Sequence, residues 1–181
     1  MIATDQYVSS SIRDTNNFNG YNKTLSSNTT SLMIAAVPTA TYLVGLVEKD
    51  DYAQRTALWT GEALADSAIT AELLKLITRR ARPEAIPPDG NFGDTWLDAR
   101  TVTDGGFPSG HTIMAFSVAT VMSRRYGHNH RWVPFVAYGA ATAIGLSRVT
   151  LSAHNVSDVF VGASLGYAIS RFVVLGRIPS Q

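Results

Sequence analysis

The sequence has no cysteine at all among its 181 residues. That excludes disulfides, thiolate metal sites and a cysteine nucleophile together. It lacks a surplus of either charge: 15 Lys and Arg stand against 14 Asp and Glu, a net charge of +1. A chain so balanced has no electrostatic footprint for nucleic acid. It is short of charge altogether, at 16% against roughly 25% in an average protein, so its surface either carries few charges or partly faces lipid. No secretory signal opens it, because positions 1–30 are polar and rich in Ser, Asn and Thr. The expectation is a chain that stays inside the cell or one that lacks an upstream export segment. Strand patterning and internal repeats are missing too.

What is there reads as helix. Residues 1–30 suggest a flexible arm or irregular lead-in, followed by a domain over 31–177. Five helices are predicted: Ser31–Val47, bent at Pro38; Asp51–Arg80, ended by Pro83; Ser109–Arg125; Arg131–Arg148; and Asn155–Leu175. The second has apolar residues at helical spacing, among them Leu58, Ala65, Ile69, Leu73 and Leu76. Between the second and third lies a loop of roughly 25 residues, rich in Pro and Gly, longer than most connections and so a candidate for function. The fold class is therefore all-α, a bundle of about five helices with its active site at one end.

Three stretches carry chemistry. Lys75 and Arg82 are two helical turns apart and can share a face. Pro108-Ser109-Gly110-His111 stands where a loop enters a helix, and helix N-termini present N–H groups to anions. Ser147-Arg148 is followed by His154 and Asp158. A transferred phosphoryl group needs its oxygens clamped by cations and N–H donors. Lys75, Arg82 and Arg148 supply the cations, the Ser109 hydroxyl can add a bond, and Gly110 lets the backbone come close. His154 is a nucleophile for phosphorus. Asp158, four residues on, can accept from one imidazole nitrogen and orient the ring. His111 can protonate the leaving alkoxide and later activate water. Each element alone has a bland explanation: a solvated basic face, a helix start, a structural His–Asp pair. Their combination in order, in a chain with four histidines, does not.

Lys75-x6-Arg82-Pro83, Pro108-Ser109-Gly110-His111 and Ser147-Arg148-x5-His154-x3-Asp158 resemble the three signature motifs of the type 2 phosphatidic acid phosphatase family. Its superfamily also holds bacterial class A acid phosphatases and vanadium haloperoxidases. The match is complete at every signature position. The resemblance implies a helical-bundle core and phosphate-ester hydrolysis without metal or cofactor. It implies His154 as nucleophile, Asp158 as its partner and His111 as acid. Lys75, Arg82, Ser109, Gly110 and Arg148 would form the phosphate pocket. The expected substrate is a phosphorylated lipid, such as phosphatidic acid or a prenyl diphosphate, or a small soluble phosphate ester. The competing readings are a vanadium-dependent haloperoxidase using the same pocket and a non-catalytic phosphate- or lipid-binding module. The first is disfavoured by the short chain, the second by the presence of His154, Asp158 and His111 together.

Other features have simpler readings. His128-x-His130 could bind metal only adventitiously, and Glu62, Asp66 and Glu72 read as a solvated or ion-paired face. Gly162 and Gly166, four apart, suit close helix packing. Trp96, Phe92 and Phe107 offer the loop an apolar contact to a lipid or, equally, packing. Topology puts the motifs at one end of the bundle and Arg124, Arg125, Arg131, Arg171 and Arg177 at the other. If the bundle spans a membrane, that basic end is cytoplasmic and the site faces outward. Spanning and soluble periplasmic forms are evenly matched. The stretch Trp132–Ser147 is uncharged for 16 residues, just short of the ~17 a span needs, and Arg171 interrupts the best candidate, the fifth helix.

Overall fold

The structure is a computed structural model. It describes residues 2–13, 18–25, 27–87, 90, 95–99 and 105–177. Phe92, one of the loop aromatics, lies outside the described residues, as do loop positions 88, 89, 91, 93, 94 and 100–104. There are seven α-helices and no strand among the described residues, so the all-helical expectation holds. They are α1 (Ile2–Arg13), α2 (Asn19–Thr24), α3 (Ser27–Val47), α4 (Asp51–Thr78), α5 (Gly110–Tyr126), α6 (Val133–Thr150) and α7 (Val156–Ala168). The last continues through a π-helical stretch, Ile169–Val174, into a short 3₁₀ turn at Leu175–Arg177.

The five expected helices are α3 to α7, and the differences lie at their ends. Asp50 caps α4 by accepting from the backbone N–H of Tyr52 and Ala53 at 2.8 and 3.2 Å. Pro83 does not end α4. Arg79 takes a left-handed conformation, φ 43°, and closes the helix before the proline is reached. The described residues among the first thirty are not an irregular lead-in: α1, α2 and the first turn of α3 all fall there. Their polar composition hid helices in which Asp5 and Ser9 bond to the start of α7 and Asn22 to the end of α6.

Helix α5 is the centre. It packs against α3, α4, α6 and α7, and Ile113 and Val121 on it are fully buried. It carries no exposed large apolar side chain, whereas α3, α4, α6 and α7 with its π-helical continuation turn Leu43, Val44, Leu58, Ile69, Phe135, Val136, Phe160 and Phe172 outward. Such an apolar outside around a buried centre is the reverse of a water-facing bundle. The inside is partly polar. Ser67 and Ser117 are 2.5 Å apart through their hydroxyls, and Ser170 donates to the Ser117 carbonyl at 3.1 Å. Hydroxyls that bond across helices are a common means of association where lipid removes the hydrophobic drive. Two helical stretches, Thr29–Val47 and Val156–Arg177, are long and apolar enough to cross a membrane, each with mean hydropathy 1.6. The second tolerates Arg171 within it.

Glycine sets the α5–α7 distance. A Cβ on Gly166 would lie 2.3 Å from the Ile113 carbonyl oxygen, and one on Gly162 3.0 Å from that of Ser109. The small-residue spacing read from the sequence is thus a close contact between two backbones. It brings the start of α7 against the start of α5, which places two of the three motifs side by side.

Candidate active site

At one end of the bundle lies a cavity of about 350 Å³ lined by Lys75, Arg82, Gly110, His111, Arg148 and His154, with Ser31 and Glu72 at its edge. Six of the eight residues singled out from the sequence meet there. They come from five places, the start of α5 with Gly110 and His111 being one. Lys75 sits in the last turn of α4. Arg82 precedes the short 3₁₀ turn at Pro83, and Arg148 sits in the last turn of α6. His154 stands in the bend before α7.

Gly110 is the first residue of α5. A Cβ there would lie 3.6 Å from Lys75 Nζ, so the ammonium hangs directly over the helix N-terminus. Anion-favouring N–H groups and a cation are aimed at one spot. Glu72 accepts from Lys75 Nζ at 2.6 Å. The Arg148 guanidinium is buried and donates to Ser147 Oγ, to the Leu25 carbonyl and, at 3.4 Å, to Thr30 Oγ1.

His154 is buried, and its Nδ1 lies 2.6 Å from the Gly106 carbonyl oxygen. A carbonyl can only accept, so Nδ1 carries the proton and Nε2 keeps its lone pair. Burial pushes the ring's pKa down to about 3, against the Gly106 bond, and the nearby charges of Arg82, His111 and Lys75 push the same way. The imidazole is therefore neutral at any ordinary pH. His111 has Ser31 Oγ 3.1 Å from its Nε2.

Two expectations need correction. Asp158 does not orient the His154 ring. It lies in the first turn of α7, while His154 precedes that helix, so the two do not share a helical face. The Asp158 carboxylate accepts from Asn155 N–H at 2.7 Å and from Arg80 Nη1 at 2.5 Å. The Gly106 carbonyl takes the role expected of it. Ser109 does not line the cavity either. It is fully buried, and its hydroxyl accepts from Thr112 Oγ1 at 2.8 Å.

Besides the Gly106 carbonyl, sequence reasoning missed four contributors. Arg80 and Asp5 form a buried pair, Nη2 to Oδ2 at 2.9 Å. Ser31 and Thr30 meet His111 and Arg148. Nothing in the local pattern marked them: Arg80 read as the basic end of one helix and Ser31 as the start of another, and Asp5 and Thr30 fell in the polar lead-in. Trp96 and Phe107, weighed as a lipid contact, stack edge-on with centroids 5.0 Å apart, and the Arg80 guanidinium covers Trp96 at 4.8 Å.

The chain is similar to three lipid A 1-phosphatases. The protein of Porphyromonas gingivalis is 38% identical over 63 residues, 35% of this chain and 14% of that one. That of Rhizobium etli is 36% identical over 103 residues, 55% and 41%, and that of Rhizobium johnstonii 33% over 116 residues, 61% and 44%. The chain thus spans less than half the length of the curated relatives it matches. Among solved structures it is similar to a transmembrane PAP2 type phosphatidylglycerolphosphate phosphatase from Bacillus subtilis. The TM-score is 0.67 at 21% identity, with 96% of this chain and 84% of that one covered. The family model for the PAP2 superfamily matches residues 56–178, a stretch that holds all three motifs, and the chain belongs to that superfamily.

Proposed function

We propose that this chain is a lipid phosphate phosphatase of the cell envelope that works through a phosphohistidine on His154. The observation that carries the reading is the His154 ring itself: neutral, proton fixed on Nδ1 by Gly106, Nε2 left with its lone pair in a cavity ringed by cations. Nε2 attacks phosphorus and the bond from phosphorus to the ester oxygen breaks. Lys75, Arg82, Arg148 and the N-terminus of α5 take up the negative charge on the remaining oxygens. His111 gives the leaving alkoxide its proton. The leaving oxygen would stand where the Ser31 hydroxyl now meets His111. His111, then neutral, takes a proton from the water that cleaves the phosphorus–nitrogen bond and returns His154 and inorganic phosphate. Asp158 acts on the backbone at Asn155 rather than on the ring.

Two observations support a lipid substrate. The relatives are lipid A 1-phosphatases. An apolar groove of about 490 Å³ runs between α3 and α6 over α5, lined by Met33, Ile34, Val37, Val118 and Ile144. It begins two residues along α3 from Ser31, so an alkyl chain could leave the cavity along it. The outward apolar faces support residence in a membrane. The arginines Arg124, Arg125 and Arg131, at the end away from the cavity, support an outward-facing site.

The test is hydrolysis of p-nitrophenyl phosphate and of a long-chain phosphatidic acid in mixed micelles, with EDTA present. Wild type should turn over both and His154→Ala neither. Loss of activity in EDTA that a divalent ion restores would overturn the metal-free mechanism.

A further inference from the structure

We propose that Asp5, on the N-terminal helix α1, is a positioning residue for His154 and acts through Arg80. The inference rests on the reading of His154 as nucleophile. Arg80 is 1% exposed, and both carboxylates that flank it, Asp5 and Asp158, are 0% exposed. The guanidinium divides its fork between them, Nη2 to Asp5 Oδ2 at 2.9 Å and Nη1 to Asp158 Oδ1 at 2.5 Å. Nη1 also reaches Ser157 Oγ at 2.7 Å, and Nε reaches Thr95 Oγ1 at 2.9 Å. Asp5 spends its remaining capacity on the start of α7. Its Oδ1 accepts from Ser157 N–H at 2.9 Å and its Oδ2 from Ser157 Oγ at 2.5 Å.

Two routes lead from Arg80 to His154. By the side chain, Asp158 is held so that its Oδ2 takes the N–H of Asn155 at 2.7 Å, the residue that follows His154. By the main chain, the Arg80 carbonyl accepts from Gly106 N–H at 2.7 Å, and the Gly106 carbonyl accepts from His154 Nδ1 at 2.6 Å. One residue thus fixes both the backbone beside the nucleophile and the orientation of its ring. Asp5 is the second anchor of that residue. Without it the guanidinium has one carboxylate instead of two and is free to turn toward Asp158. A buried ion network adds little net stability over apolar side chains of the same volume, but it fixes atoms by direction as well as by distance.

The readout that separates positioning from mere support is turnover per working phosphate site. Asp5→Asn keeps size and shape and removes the charge. Arg80→Lys keeps the charge and removes the fork. In detergent micelles, sites and affinity are counted with inorganic phosphate by calorimetry, and kcat and KM are measured on p-nitrophenyl phosphate. Both variants should lose about tenfold to hundredfold in kcat per phosphate site, the usual effect of a nucleophile set slightly off line. KM and phosphate affinity should stay within about twofold, because Lys75, Arg82 and Gly110 make no bond to Asp5. Activity that falls only as the number of phosphate sites falls, with kcat per site unchanged, overturns the proposal, as does loss of all phosphate binding in both variants. If His154→Ala is as active as wild type, the nucleophile reading falls and this inference with it. If His154→Ala is dead while Asp5→Asn turns over at the wild-type rate, the inference alone falls.

Discussion

At the scale of the residue, His154 has a thermodynamic signature that can be measured without substrate. Its pKa in the fold is about 3, against an ordinary value of 6.5, so between those values the unfolded chain binds a proton that the folded one does not. The sign follows from linkage: stability is complete above about pH 6.5 and is lost as pH falls toward 3, at up to about 1.4 kcal/mol per pH unit. His154→Gln, which cannot charge, should flatten the pH dependence of the urea midpoint over that window. An unchanged slope would mean the ring is solvated in solution. The residue scale is also where sequence reading did best and worst. Lys75, Arg82, His111, Arg148 and His154 were legible because phosphate chemistry demands cations and a nucleophile, and the spacings brought them together. Asp158 was found but given the wrong bond, since helical spacing was counted from a residue outside the helix. Arg80 and Asp5 were invisible: a pair 75 residues apart has no local pattern.

The elements are held apart or together by what the helices lack at their contacts. Gly166→Ala would set a methyl 2.3 Å from the Ile113 carbonyl oxygen, a backbone atom in the central helix that cannot step aside. We expect a loss of about 1–3 kcal/mol, read as a lower thermal midpoint. Gly139→Ala is the control. It lies on the exposed side of α6 with nothing within 4 Å of a new Cβ, and it should be neutral or slightly stabilising. A Gly166→Ala midpoint equal to wild type would show that α5 and α7 can separate without cost. The glycine spacing was legible because small residues four apart have one main use on a packed helix. The turn of α7 into a π-helix was not, because Ile169–Val174 differs in no obvious way from ordinary apolar helix. Helices α1 and α2 were missed for the opposite reason: their residues bond to the start of α7 and to α6 respectively, which no periodicity in hydrophobicity records.

The whole molecule presents apolar side chains on the outer faces of four helices and keeps hydroxyls inside. A chain built this way should stay with the membrane pellet after washing in alkaline carbonate and should need detergent to leave it. Recovery of the protein in the carbonate supernatant would count against membrane integration. Composition alone left the question even, since mean hydropathy averages the apolar outside with the polar inside and the polar first thirty residues.

The bonds from Asp5 to Ser157 and from Ser9 to Asn155 join residues 152 and 146 apart. A ribosome makes α1 well before α7, so these contacts cannot form until α7 has been synthesised. Contacts of that reach are slow to close. Until they do, the bend that carries His154 and the start of α7 lack the bonds that tie them to α1, and, if His154 and Asp5 act as proposed, the growing polypeptide stays inactive until α1 and α7 have met.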